Sequence, residues 1–221
     1  IKVVVFDLDY KFKYSDYAKW SKGSKPYKVL ELGYKGDGRT HVEIPFCFSC
    51  INEFEVLPAR NQVVYVGNRY ERDELVDKYL APLPQNGTDL LVYGNWLESN
   101  RDSAKRWPGI KFINRAQIDE FRAIYGHSSV APILLKPEYN KYGFMTARIL
   151  EAIFFGCVPL VPIEFTRWNK YIPHKLLVTS WSDIKSKSLY YSTNFLSRQG
   201  VICDLRDKLK FMDAEHFIGE L

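Results

Sequence analysis

Gln62-Val-Val-Tyr-Val-Gly67 opens the stretch whose rhythm decides the fold. The apolar run Val63-Val-Tyr-Val66 reads as a buried strand, and Gly67 ends it. A helical pattern follows, with Leu75, Val76, Tyr79 and Leu80 on one face. The same unit then recurs. Asp89-Leu-Leu-Val-Tyr93 is a second strand ended by Gly94, and 110–113 is a third. A short helix is predicted over 116–125 and a fourth strand over 130–135. A helix over 146–155 stops at Gly156, and strands follow at 157–161 and 176–178. Strands alternating with helices in this way predict an α/β fold, a Rossmann-like, doubly wound parallel sheet. Ligands of such sheets bind at the carboxyl ends of the strands. Residues 67–72, 94–96, 114–115 and 136–146 are expected there.

Outside that rhythm the chain reads differently. Residues 1–59 carry a strand over 3–8, another over 27–32 and a glycine-rich break at Gly33, Gly36 and Gly38. They read as a partial N-terminal segment and linker before the regular sheet domain over 60–180. Residues 181–221 are helical in pattern and are expected to pack back on the N-terminal part.

The bulk properties exclude several classes. The 221 residues carry 31 basic and 26 acidic side chains, a net charge of +5. That is too little for a polybasic nucleic-acid arm and the wrong sign for an acidic disordered chain. No apolar run approaches the ~20 residues of a membrane span. Four cysteines are too few for a disulfide scaffold, so a cytoplasmic location is expected. The charge is uneven: residues 121–180 hold seven basic and three acidic groups, +4 of the total. Aromatic residues make up 15%, and most are read as core and rim, with sugar or base stacking as the other use.

Four motifs bear on chemistry. Asp7-Leu-Asp9 follows a strand, as in haloacid-dehalogenase-like phosphatases or metal-dependent transferases. Lys11 stands where the phosphatase pattern has Thr or Val, and no later acidic pair completes it, so a solvated strand end is preferred. Cys47-Phe-Ser-Cys50 lacks the further ligands zinc needs and reads as two buried free thiols. Gly67-Asn-Arg-Tyr-Glu-Arg-Asp-Glu74 has two even readings. In one, Gly67, a helix N-terminus, Arg69 and Arg72 hold a phosphate. In the other, Glu71, Asp73 and Glu74 satisfy the helix dipole and pair with the arginines. The longest motif runs from Lys136 to Pro159. It puts Lys136, Lys141 and Gly143 in a loop, Thr146 at a helix start, and Arg148 and Glu151 one turn apart. Such a helix start can hold a diphosphate, and Glu151 can reach a ribose diol with two acceptor oxygens.

Gly143, Thr146, Arg148, Glu151, Ala152, Gly156 and Pro159 together resemble the C-terminal, nucleotide-sugar-binding domain of GT-B glycosyltransferases. The likeness is to the group 1 and spore-maturation-type relatives and covers roughly residues 60–180. It implies a metal-independent transferase that moves a sugar from a nucleoside-diphosphate donor, a UDP-linked sugar being expected, with no other cofactor. By the resemblance Glu151 binds the ribose, and the 143–146 segment (Gly143, Phe144, Met145, Thr146) with Arg148 holds the diphosphate. Arg69, Arg72 and Lys136 neutralise the leaving group as the catalytic cations. Gly67 lines the site, and Asn114 and Arg115 lie near the base. The pattern departs from many retaining members, which have a second glutamate where this chain has Gly143, so the stereochemistry stays open. The acceptor stays open too: a glycan, a protein, a small molecule or modified DNA. A non-catalytic nucleotide- or sugar-binding module is the principal rival, and a phosphatase on Asp7 and Asp9 the lesser one.

Overall fold

The computed structural model describes residues 3–7, 27–32, 40–42, 55–97, 102–137, 139, 146–165 and 172–209. Three N-terminal strands, β1 (Val3–Asp7), β2 (Tyr27–Leu32) and β3 (Thr40–Val42), form a parallel sheet in the order β1-β2-β3. The first two match the sequence reading. β3 falls just past the glycine-rich break, where no strand was expected.

The second sheet is built from β4 (Arg60–Val66), β5 (Asp89–Tyr93), β6 (Lys111–Ile113), β7 (Ser128–Pro132), β8 (Val158–Pro162) and β9 (Leu177–Val178). Its order is β6-β5-β4-β7-β8-β9, every pair parallel. The chain therefore steps outward from β4 in one direction, returns to β7 beside β4, and steps outward in the other. This is the doubly wound order, and its reversal point lies between β4 and β7. Central strands are covered on both faces, which is why β4 and β8 read as unbroken apolar runs. Val63 and Tyr65 point into one apolar cluster, with Val76, Ile149 and Ile184. Val64 and Val66 point into another, with Phe121, Tyr125 and Ala152. This is the two-residue alternation of a strand.

Among the described residues the helices with defined bounds are α1 (Asp73–Tyr79), α2 (Pro82–Gln85), α3 (Ser103–Arg106), α4 (Phe121–Gly126), α5 (Ala147–Phe154), α6 (Trp181–Thr193) and α7 (Phe195–Lys208). Differences from the expected bounds have local causes. The helix expected over 116–125 is a 3-10 turn (Ile118–Glu120) followed by α4. The strand expected over 130–135 ends at Pro132, which has no N–H for the ladder, although Ile133, Leu134 and Leu135 stay buried. The segment 176–178 splits into a 3-10 turn (His174–Leu176) and β9.

α6 packs on β4 and β7, and α7 on α5, α6 and β8. These two helices thus cover the six-stranded sheet, and α7 reaches the 1–59 segment at Leu57. Polar groups hold them as much as apolar ones. The buried Ser129 and Ser188 hydroxyls lie 2.7 Å apart, and Ser188 donates to Asn61 Oδ1 at 2.9 Å. Arg198 is fully buried. It donates to Gly156 O (2.6 Å), Leu57 O (2.6 Å) and Gly126 O (3.2 Å). Arg206 donates to Ile153 O and Phe154 O. Each guanidinium thus meets carbonyls at or near the C-terminal ends of α4 and α5, where cations are favoured. No helix among the described residues is long and apolar enough to cross a membrane.

Candidate functional site

A cavity of about 270 Å³ opens at the reversal point. Its walls come from four places: the end of β4 and the loop after it, the end of β7 and the loop after it, Tyr125 of α4, and the first turn of α5. The loops are shaped by the neighbouring strand end. Gly67 N–H donates to Tyr93 O, Trp96 Nε1–H donates to Gly67 O at 2.6 Å, and Asn95 N–H donates to Asn68 Oδ1. Gly94 makes this contact possible. Its φ is +148°, and a Cβ there would collide with the Gly67 carbonyl oxygen.

Three cations line the cavity, and among the described residues no carboxylate does. Arg72 is held by carbonyls alone: Nε donates to Leu134 O (2.9 Å), and Nη1 to Asn68 O (3.0 Å) and Tyr70 O (3.1 Å). Lys136 Nζ sits 5.2 Å from the Tyr70 ring centroid and 5.6 Å from that of Tyr139, within cation–π range. Arg148 enters from α5. Thr146 caps that helix, its hydroxyl accepting from Arg148 N–H at 3.4 Å. Arg148 Nη1 pairs with Glu151 Oε2 at 2.5 Å, and the Tyr125 hydroxyl donates to the same oxygen at 3.4 Å. Burial opposes the Arg148 charge, but Glu151 and the nearby tyrosines outweigh it and its pKa is raised. Burial, then Glu151, pushes the Tyr125 hydroxyl well above its usual range, so it is a donor at neutral pH.

The structure divides the residues singled out in the sequence. Gly67, Arg72, Lys136, Thr146 and Arg148 converge on the cavity, and Glu151 stands behind Arg148. Arg69 does not line it. Arg69 is clamped by Asp73 (2.8 and 2.6 Å), donates to Ser103 Oγ and lies over the Trp107 ring at 5.0 Å. Arg106 also binds Asp73, and Asp77 joins Arg106 to Trp107 Nε1. The hydrogen bond from Arg69 holds the Asp73 carboxyl below its usual range. Of the two readings of the 67–74 motif, pairing thus describes Arg69 and ligand access describes Arg72. The helix does not begin at Gly67. It begins at Asp73, is seven residues long and has Asp73 and Glu74 in its own first turn. Asn114 and Arg115 are exposed beyond β6 and outside the cavity wall. Gly143, Phe144, Met145, Lys141, Asp9, Cys47 and Cys50 lie outside the described residues. The tyrosines of the wall, Tyr65, Tyr70, Tyr125 and Tyr139, were not singled out. Their type is equally at home in a core, and Tyr65 and Tyr125 are in fact almost wholly buried.

Solved structures of GT-B glycosyltransferases share this doubly wound parallel sheet and match the chain. T4 phage β-glucosyltransferase superposes with a TM-score of 0.66 at 15% identity, over 98% of this chain and 72% of the phage protein. That enzyme is described as a DNA-modifying enzyme and has been solved with its UDP-glucose substrate. Staphylococcus aureus TarM, solved with UDP, matches at TM-score 0.56 and 9% identity, over 92% of this chain and 52% of TarM. The sucrose-phosphate synthase of Thermosynechococcus elongatus matches at 0.52 and 12%, over 99% and 57%. No family model matches the sequence. No curated protein matches it either.

Proposed function

We propose that this protein is a glycosyltransferase that takes a sugar from a nucleoside-diphosphate donor, a UDP-linked one first. The observation that carries the reading is the cavity at the reversal point, with Arg72, Lys136 and Arg148 in its wall and no carboxylate there among the described residues. Departure of a nucleoside diphosphate from the anomeric carbon builds negative charge on the diphosphate. Fixed cations aimed at that charge lower the barrier without reorganising. Arg72 is preorganised, because three carbonyls hold it. Glu151 takes the ribose hydroxyls, with Arg148 and Tyr125 setting its carboxylate. Residues 143–146 complete the diphosphate site, and Asn114 and Arg115 lie toward the base. In this reading cations do the work of a metal, so transfer survives chelation. One phage enzyme structure holds UDP with Mn2+, which makes that a decisive check. The reading keeps residues 1–59 as the acceptor side, 60–180 as the donor domain and 181–221 as the closing helices, and places the protein in the cytoplasm. DNA is the acceptor class to test first, because the phage DNA-modifying enzyme superposes over 98% of this chain.

The test is isothermal titration with UDP and GDP, followed by donor turnover with DNA and glycan acceptors with and without EDTA. Glu151→Ala is expected to weaken UDP about tenfold or more, the loss of charge-assisted bonds to the ribose. It should weaken 2′,3′-dideoxy-UDP little. Absence of nucleotide binding by the unmodified protein refutes the reading, and binding without turnover favours the non-catalytic module.

A further inference from the structure

Tyr65 is the next-to-last residue of β4 and lines the floor of the cavity while only 3% exposed. Its ring is fixed, edge-on to Trp96 with centroids 6.0 Å apart. Its hydroxyl lies directly under the glycine loop: a Cβ on Gly67 would fall 2.7 Å from that oxygen. Phenol hydroxyls on buried rings have partners as a rule. Among the described residues this one makes no hydrogen bond. The ring is buried but its oxygen is open to the cavity, so a phenylalanine would fill the same space with little change in stability.

What surrounds the hydroxyl indicates the missing partner. Arg72 and Arg148, both in the cavity wall, act on it electrostatically. Two cations and a neutral donor that line one cavity define a place for an anionic oxygen, since all three groups can donate to it. Burial raises the pKa of Tyr65 despite those cations, so the group keeps its proton at neutral pH. We infer that the Tyr65 hydroxyl is a ligand-contacting donor that hydrogen-bonds an anionic oxygen of the donor diphosphate at the cavity floor. This rests on the donor-binding reading and adds a neutral, rigid donor to its cations. The lack of a side chain at Gly67 then has a local reason. Any Cβ there would displace the hydroxyl from the position at which it meets the ligand.

The experiment compares Tyr65→Phe with the unmodified protein by calorimetric titration of UDP, uridine and inorganic pyrophosphate, alongside ligand-free melting. The inference expects UDP and pyrophosphate to bind roughly 10- to 100-fold more weakly, the range for a hydrogen bond to a charged group. It also expects uridine to be unaffected and the melting temperature to be little changed. Unchanged UDP and pyrophosphate affinities overturn it. So does an equal loss for uridine, or a fall in ligand-free melting temperature, either of which marks a structural role. If pyrophosphate binds and weakens in the variant but the nucleoside adds no affinity, the Tyr65 contact stands and the nucleotide-sugar reading fails. If the unmodified protein binds neither UDP nor pyrophosphate, both fail.

Discussion

Replacing Arg198 with methionine tests the account of how α7 is held. The guanidinium is fully buried and faces carbonyl oxygens only: Gly156 O through Nε and Nη2, Leu57 O through Nη1 and Gly126 O through Nη2. Burial lowers its pKa, a measure of its own desolvation cost. Methionine keeps the stem and fills similar volume but leaves three carbonyls without a donor. Each such group costs about 1–3 kcal/mol, a gross loss of roughly 3–9 kcal/mol. Removing the buried charge returns several kcal/mol of desolvation. The net destabilisation is therefore about 2–4 kcal/mol. Lysine is the informative companion. It keeps the charge but cannot fork to three acceptors, so Arg198→Lys should be at least as damaging. Urea unfolding followed by far-ultraviolet circular dichroism measures both, the midpoint falling at constant slope. If Arg198→Met unfolds within about 0.5 kcal/mol of the unmodified protein, a range typical of surface substitutions, the carbonyl clamp is not what holds α7.

Two further predictions follow from the site's supports. Gly94→Ala forces an L side chain into φ near +148° against the Gly67 carbonyl. It should cost at least the ~1–3 kcal/mol of a strained backbone and weaken UDP, measured by thermal melting and titration; an alanine variant as stable and as tight in binding would refute the close approach. Asp73 has its pKa depressed in the folded state by Arg69. Its stabilisation is present above the unfolded carboxyl pKa and is lost as pH falls through the lower folded value. Asp73→Asn should therefore lower stability at pH 7 and flatten its decline in acid; a parallel acid profile in the two proteins would refute the pairing.

Much of the fold was legible because its central strands are buried on both faces. The buried half of β4 (63–66) and β8 are apolar without alternation, and glycine or proline ends them. β3, three residues beside a glycine-rich break, carries too few side chains to show a period. The clamp arginines were hidden for a different reason. Arg198 and Arg206 sit in a polar helix, and an arginine that caps carbonyls is written like one facing water. In the site, Arg72, Lys136, Arg148 and Glu151 were legible by charge and spacing. Arg69 and Arg72 looked equivalent, three residues apart. Glu71 between them adopts φ 50°, and that turn sends one guanidinium to Asp73 and the other to the cavity. Tyr65 was invisible as a site residue because its strand position specifies burial, and only the structure shows an open oxygen at the end of a buried ring.

Trp96 gives the site a property of a different kind. Its indole is wholly buried, donates to the Gly67 carbonyl and stacks on Phe112 at 5.5 Å, with Tyr65 against its edge. Indole emission depends on such contacts. A ligand that moves the 67–72 loop or engages Tyr65 changes the surroundings of a fluorophore already bonded to that loop. Trp96 thus sits as an optical reporter one residue-layer behind the cavity, and because it is one of five tryptophans, its share of any emission change is the part that a Trp96→Phe variant loses.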